Sequence, residues 1–501
     1  MIELIESHKG ECVVSYGRVN QPIEEHKKMP SKINKDMEQL AATCPAFEYS
    51  IVNFIQNFTL DLLDKEAFAG LKRLLCDQIA VQIGVSQFPW SRNLLDYTIS
   101  QQRSGVSRVV ASQWKMSAID AAFVNASYGH GFEYDDAHGP SESHPGSCVI
   151  PAAFAIGEEL NSSFSEVLTA LVVGYEVYTR IGLLASPQLL RRGFHPHAVL
   201  SNFGAAAVAA KLRKLDAETT LNALGIALSH VSGTTEYSSS GGSIKRIHAG
   251  IGTRNGMVSA DMAAACITGP RAFLTGRKGF LQSFVQKSVD EKDKSIFDLT
   301  RPYEISTVWL KAYCACYCTH AYIDALRPFT ARLKDIARIE VRLNPTFNVV
   351  VGTANANAYE PKTIEHVQFS LPTQIAFALL GKGNGYKIHR DYLAGLVDMQ
   401  SVYAITKLVD IAEAPDLAER YPGKFVADVT VHYKSGSSER VFVEDPIGTT
   451  LNPMSEEEQD EKFRELTLEI IGAEKSKDLY KILKELPMDI KIKEITALCA
   501  V

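Results

Sequence analysis

The stretch AVLSNFGAAAVAAKLR, Ala198–Arg213, decides the architecture. Gly204 and the alanines at 205–207, 209 and 210 give it side chains too small to hold neighbours apart. Such a segment predicts a helix at the centre of a helical core, where other helices approach closely. Working outward, residues 117–132, 151–160 and 164–184 also read as helices, as do 217–230 and 254–268. Nearer the N-terminus, Phe54, Phe58, Leu62 and Leu63 recur at helical spacing, and Phe68, Leu71, Leu75 and Ile79 form a second stripe. The longest apolar run, Val167–Ala185, contains Glu176 and Arg180 and so predicts a buried helix, not a membrane span.

The texture changes near residue 303. Ala337–Leu343 alternates like a strand, and Phe425–Tyr433 and Arg440–Val443 alternate around Lys434-Ser435-Gly436-Ser437-Ser438, a hairpin signal. Residues 320–333 and 374–380 read as helices between these strands, and helical patterns resume at 455–472 and 476–486. The expected fold class is therefore mainly α: a large all-helical domain built from both chain ends, with a smaller inserted α+β lid domain. The expected divisions are an irregular N-terminal extension (1–45), a first helical part (46–303), the lid (304–443) and a second helical part (444–501).

With 501 residues, 46% of them apolar, and a net charge of −6, the composition is that of an ordinary globular protein. No basic block points to nucleic acid. The start carries acidic residues where a signal or transit peptide would not, so a cytoplasmic location is expected. Nine cysteines at irregular spacing predict free thiols in a reducing compartment. An acidic protein that binds an anion needs a local group of cations.

Four segments carry candidate chemistry. Glu133, Asp135 and Asp136 stand with His138 and His144 in one short run after an alanine-rich helix. Carboxylates at a helix C-terminus oppose its dipole, which hints at function, although a solvated helix end is the plain alternative. Arg191-Arg192-Gly193-Phe194-His195 precedes the small-residue helix, whose free N–H groups suit a carboxylate ligand. Ser238–His248 is a Ser/Gly loop delivering Lys245 and Arg246 together, a possible carboxylate clamp without P-loop spacing. The last is Lys311, Cys314, Cys316, Cys318 and His320. Its alternating cysteines do not converge easily on one iron–sulfur cluster, and no spacing matches a zinc or iron framework, so no metal is expected.

Taken together in order and spacing, the Asp-Asp…His-Pro-Gly segment, Gly193-Phe194-His195, Lys245-Arg246…Gly250…Arg254-Asn255-Gly256 and Lys311…His320 resemble the MmgE/PrpD family over about residues 46–490. That family includes 2-methylcitrate dehydratases, cis-aconitate decarboxylases and iminodisuccinate epimerases. The resemblance implies a cleft site between the two domains, a homodimer, and no metal or organic cofactor. It marks His144, His195, Lys245 and Asp135 as catalytic, and Glu133, Asp136, Arg246, Lys311, Cys316, His320 and Asn348 as substrate-binding. Relative to animal members, Ala137 stands in place of a threonine, Cys316 of a histidine and Asn348 of a tyrosine, a pattern closer to fungal members.

The implied chemistry is proton movement next to a carboxylate of a small di- or tricarboxylic acid. Lysines would hold the developing charge and a histidine would move the proton. The first expectation is dehydration of 2-methylcitrate or a longer 2-alkylcitrate, with Ala137 and Cys316 leaving room for an alkyl tail. The alternative is decarboxylation of cis-aconitate to itaconate. An epimerase, an iron–sulfur hydratase and a non-catalytic binding protein are further readings.

Overall fold

The computed structural model describes residues 3–6, 12–15, 31–298 and 302–501. The small-residue helix runs Pro196–Leu212, with Ala205, Ala206, Ala207 and Ala209 wholly buried. Helix His248–Ala264 crosses it through Gly252 and Gly256. A Cβ on Gly256 would lie 2.4 Å from the Asn202 carbonyl oxygen, and one on Gly252 2.5 Å from Ser201 Cβ. Those glycines buy the close approach at the cost of helix propensity. The sequence pattern therefore starts this helix at 254, late by nearly two turns.

Around this pair lie Ala118–His130, Gly146–Leu160, Phe164–Ala185 and Ala217–Leu228. Phe164–Ala185 is apolar and long enough to cross a membrane, but it lies inside the protein. Its Arg180 and Glu176 pair at 2.7 Å, and Glu176 also accepts from the Ile305 N–H at 2.9 Å. A buried charge pair is tolerated when its remaining valences are met in this way.

The chain ends close the same domain. Helix Glu456–Ile471, started by a Ser455–Glu458 capping box, lies along Lys65–Val85, where Gly84 admits Leu466. Ile492, Ile495 and Cys499 are buried in the main core, and the Ala111 N–H donates to the Cys499 carbonyl at 2.7 Å.

A second core, containing Tyr322, Phe329, Ile339, Val341, Leu371, Ile375, Val429 and Val431, belongs to the α+β region. Its four-stranded sheet is ordered Val409–Glu413, Ile336–Leu343, Ala427–Tyr433, Ser438–Val443; only the first pair is parallel. The fold is thus mainly α with a smaller α+β region.

Several elements differ from the sequence reading. Ser31–Thr43 is a helix, because Met37 and Leu40 bury one face of it in the main core. Glu3–Glu6 pairs antiparallel with Cys12–Ser15, and the rest of the first thirty residues lies outside the described ones. Helix His320–Leu326 gives way to 3₁₀ structure at Arg327–Asp335, where Pro328 cannot supply an N–H. Cys266 is disulfide-bonded, against the expectation of free thiols; it lies exposed past a helix end, where a second cysteine can reach it. Cys44, Cys76, Cys148, Cys314, Cys316, Cys318 and Cys499 are free.

Candidate active site

The site grows from the end of helix Ala118–His130. Gly131 follows it, packed so tightly that a Cβ would meet Val85 at 2.8 Å. Phe132 then enters an aromatic stack with Phe88, Trp90 and Tyr386. Glu133 takes a left-handed conformation, φ 56°, which costs about 1 kcal/mol or more for a residue with a Cβ. This turn aims its carboxylate at two ammonium groups. Lys245, from the Ser243–Ile247 turn of the helical domain, pairs with Oε1; Lys311 pairs with Oε2 at 3.2 Å. Lys311 is also 3.9 Å from Asp135 Oδ1 and fully buried.

Beside this triad lies a nest of five histidines. His130 Nδ1 lies 2.7 Å from Asp135 Oδ2, and the rings of His144, His195 and His197 are 5.2, 5.7 and 4.4 Å from the His130 ring. His248 joins through an Nδ1–Nδ1 contact of 2.9 Å with His195. Burial first, then neighbouring cations and histidines, hold His130, His195 and His197 well below the ordinary histidine range. His248 is lowered to about 4, by burial and then Lys245. His144 is lowered by burial, with Asp135 opposing. Its Nδ1 is 2.6 Å from the Asp136 carbonyl oxygen, which can only accept, so Nδ1 carries the proton and Nε2 keeps its lone pair. His144 is the member of the His130–Asp135–His144 group with appreciable side-chain exposure, 17%.

The structure thus brings together Glu133, Asp135, His144, His195, Lys245 and Lys311. Cys316 lies within the electrostatic reach of Lys245, Lys311 and Tyr237. Four other candidates are committed elsewhere. Asp136 accepts from the Gly146 N–H and the Tyr175 hydroxyl at 2.9–3.1 Å, tying the loop to the next helix. Arg246 stacks 3.6 Å from the Trp90 ring centroid, donates to the Gly131 carbonyl at 3.0 Å and pairs with Glu365, bridging the two regions. Asn348 accepts from the Thr353 N–H at 2.7 Å and donates to Glu413 at 2.8 Å, closing its own helix end. His320 is buried between the Tyr313 and Tyr317 rings, with Nε2 on the Ala315 carbonyl.

Sequence reasoning passed over His130, His197, His248 and Lys462. His197 is held at both ring nitrogens, by the Tyr178 hydroxyl at 2.6 Å and Ser147 at 3.1 Å. Lys462, on helix Glu456–Ile471, lies 2.6 Å from Asp77 and donates to the Tyr134 and Lys311 carbonyls at 2.9 Å each, so it fixes both sides of the Glu133 triad. A usable signal existed for His130: it lies five residues before Asp135 at a helix end.

Among the described residues, His130, Asp135 and His144 are the one group able to offer three ligand atoms to a metal ion, all within 4.8 Å. The three alternating cysteines do not form such a group; Cys314 donates instead to the Phe132 carbonyl at 3.0 Å.

The model of the MmgE/PrpD N-terminal domain matches residues 49–292, and that of the MmgE/PrpD C-terminal domain matches 313–486. A cis-aconitate decarboxylase of Aspergillus terreus is 25% identical over 453 residues, 86% of this chain and 91% of the relative. The cis-aconitate decarboxylase-like protein oryM of Aspergillus oryzae is 25% identical, covering 89% and 96%. Human cis-aconitate decarboxylase is 26% identical, covering 73% and 76%.

Proposed function

Because the chain belongs to the MmgE/PrpD family, we propose that it is a lyase of small polycarboxylic acids whose reaction is decarboxylation of cis-aconitate to itaconate. The observation that carries this reading is the pair of lysines, Lys311 buried and Lys245 largely so, on one carboxylate beside a nest of neutral histidines. A substrate carboxylate can take the place of Glu133 between Lys245 and Lys311. When carbon dioxide leaves, its bonding electrons spread toward a retained carboxylate, and two ammonium groups in a dry site stabilise that charge. One proton must then reach carbon. His144, partly exposed and with Nε2 free to take a proton, lies beside Asp135, and an incoming trianion raises its affinity for a proton. Asp135, held by His130, stands 3.7 Å from His144 Nδ1.

Dehydration of an alkylcitrate, the first expectation from sequence, is supported less well than decarboxylation. Ala137 packs against Trp309 and Tyr317 in a separate small cluster. The named relatives also favour decarboxylation. The test is incubation of the purified protein with cis-aconitate and with 2-methylcitrate, followed by mass spectrometry. Loss of carbon dioxide from cis-aconitate, abolished by Lys245→Ala, is expected. Loss of water from 2-methylcitrate with cis-aconitate unchanged would overturn the reading.

A further inference from the structure

Cys316 and Cys318 flank Tyr317 at the start of the 3₁₀ turn Tyr317–Thr319, which runs on into helix His320–Leu326. No side chain caps this turn, so its first N–H groups are available to a negative charge on the Cys316 sulfur. The groups that favour a charge on that sulfur are the Cys318 thiol and N–H, then Lys311 and Lys245. The pair shares a proton unequally: Cys316 is lowered to about 7, chiefly by the Cys318 thiol, while Cys318 is raised well above its ordinary value.

No other free cysteine among the described residues has this setting. Cys76, Cys148, Cys314 and Cys499 are buried, and burial pushes their thiols up. Cys44 is partly exposed but is raised to about 11 by burial and by Glu48. Cys316 and Cys318 alone combine partial exposure with a cationic neighbourhood.

We infer that Cys316 and Cys318 form an oxidisable dithiol in the cleft, a site of reversible modification by hydrogen peroxide. The Cys316 thiolate attacks one peroxide oxygen, the O–O bond breaks, and Cys316 becomes a sulfenic acid with release of hydroxide. The Cys318 sulfur then attacks the sulfenic sulfur; an S–S bond forms and water leaves. Two thiols lose two electrons, and one peroxide is reduced to two waters. One helical residue between the cysteines sets their Cα atoms roughly 5–6 Å apart, inside the range a disulfide spans.

The test treats the reduced full-length protein with stoichiometric hydrogen peroxide and maps the products by mass spectrometry. A Cys316–Cys318 disulfide, reversed by dithiothreitol, is expected. In Cys318→Ser, dimedone should label Cys316, and Lys245→Met should slow that labelling several-fold. Oxidation of Cys44 ahead of Cys316, absence of dimedone label in Cys318→Ser, or sulfinic acid at Cys316 without a disulfide in the unaltered protein would each overturn the inference. None of these readouts requires turnover, so they are independent of the proposed reaction.

Discussion

Replacing Lys462 by methionine asks whether the far end of the chain holds the site together. The Lys462 ammonium meets Asp77 at 2.6 Å and the carbonyls of Tyr134 and Lys311 at 2.9 Å, and it lies 3.8 Å from the Tyr134 ring centroid. Side chains of both charged partners are 3–4% exposed. Methionine keeps the stem but strands the Asp77 carboxylate and two carbonyls. Losing one partner of a buried pair costs about 3–5 kcal/mol. At roughly 2–4 °C per kcal/mol, the melting midpoint should fall by about 6–20 °C. Burial already pushes the Asp77 carboxyl up, with Lys462 opposing, so the variant shifts it further. A carboxyl raised in the folded state binds protons that the unfolded chain has released. Its penalty is absent below the unfolded value near 4 and grows as pH rises through the folded one. Lys462→Met should therefore lose less stability at pH 5 than at pH 7.5. Asp77→Asn combined with Lys462→Met should recover most of the loss, because no charge is left unpaired. Calorimetry of the unaltered protein and the two variants at both pH values is the assay. A loss under about 1 kcal/mol, or a double variant no better than the single, would refute the argument.

His389 accepts from Gln374 at 2.9 Å and donates to the Gly385 carbonyl at 2.8 Å, and burial lowers it to about 4. The unfolded chain takes up this proton first, so stability should fall between about pH 6.5 and 4, by on the order of 3 kcal/mol. Urea titrations of His389→Gln should show a shallower slope; an unchanged slope would count against it. Gly256→Ala should cost about 1–3 kcal/mol through its clash with the Asn202 carbonyl, or more if the two helices cannot part. Gly193→Ala meets nothing within 4 Å and should cost only the strain of φ 83°, about 1–2 kcal/mol; equal losses would show that packing is not what separates them. His144 gives a proton in the proposed reaction, and burial and Lys311 hold it low, so the limb of kcat/KM that falls as pH rises should lie below pH 6.5 and move up in Lys311→Met. A limb that stays put would remove His144 from the proton step.

The helical core was legible because small and apolar residues repeat within single segments, so Ala205–Ala210 and Phe164–Ala185 announce themselves. Strand Val409–Glu413 was not: it is short, it pairs in parallel with a distant partner, and its outward residues leave no clean alternation. At the site, residue type revealed the cations and carboxylates but not where each spends its hydrogen bonds. Asp135 and Asp136 are adjacent and chemically identical. One turns to His130 and Lys311, the other to Gly146 and Tyr175, and only the backbone path between them decides that. Arg246 and Lys245 divide in the same way, one stacked on Trp90 and the other facing Glu133. Lys462 was invisible for a different reason, since its partners come from three distant segments.

The charge balance of the cleft constrains how it can accept an anion. Lys245 and Lys311 are matched by the Glu133 and Asp135 carboxylates, burial and then Lys311 pull Lys245 well below the ordinary lysine range, and the histidines are held neutral by burial. Nothing is left over to attract a trianion by simple addition. On the proposed function, affinity must come from exchange: the substrate carboxylate replaces Glu133 on the two ammonium groups, in a site too dry for water to screen the new contacts. Exchange asks the displaced carboxylate either to turn toward solvent or to take a proton. Glu133 lies only two positions from Asp135, yet its side chain can turn away while Asp135 stays anchored by His130. The same carboxylate that neutralises the lysines in the free protein thereby sets the cost of entry, and an anion with a single carboxylate gains too little from the exchange to meet it.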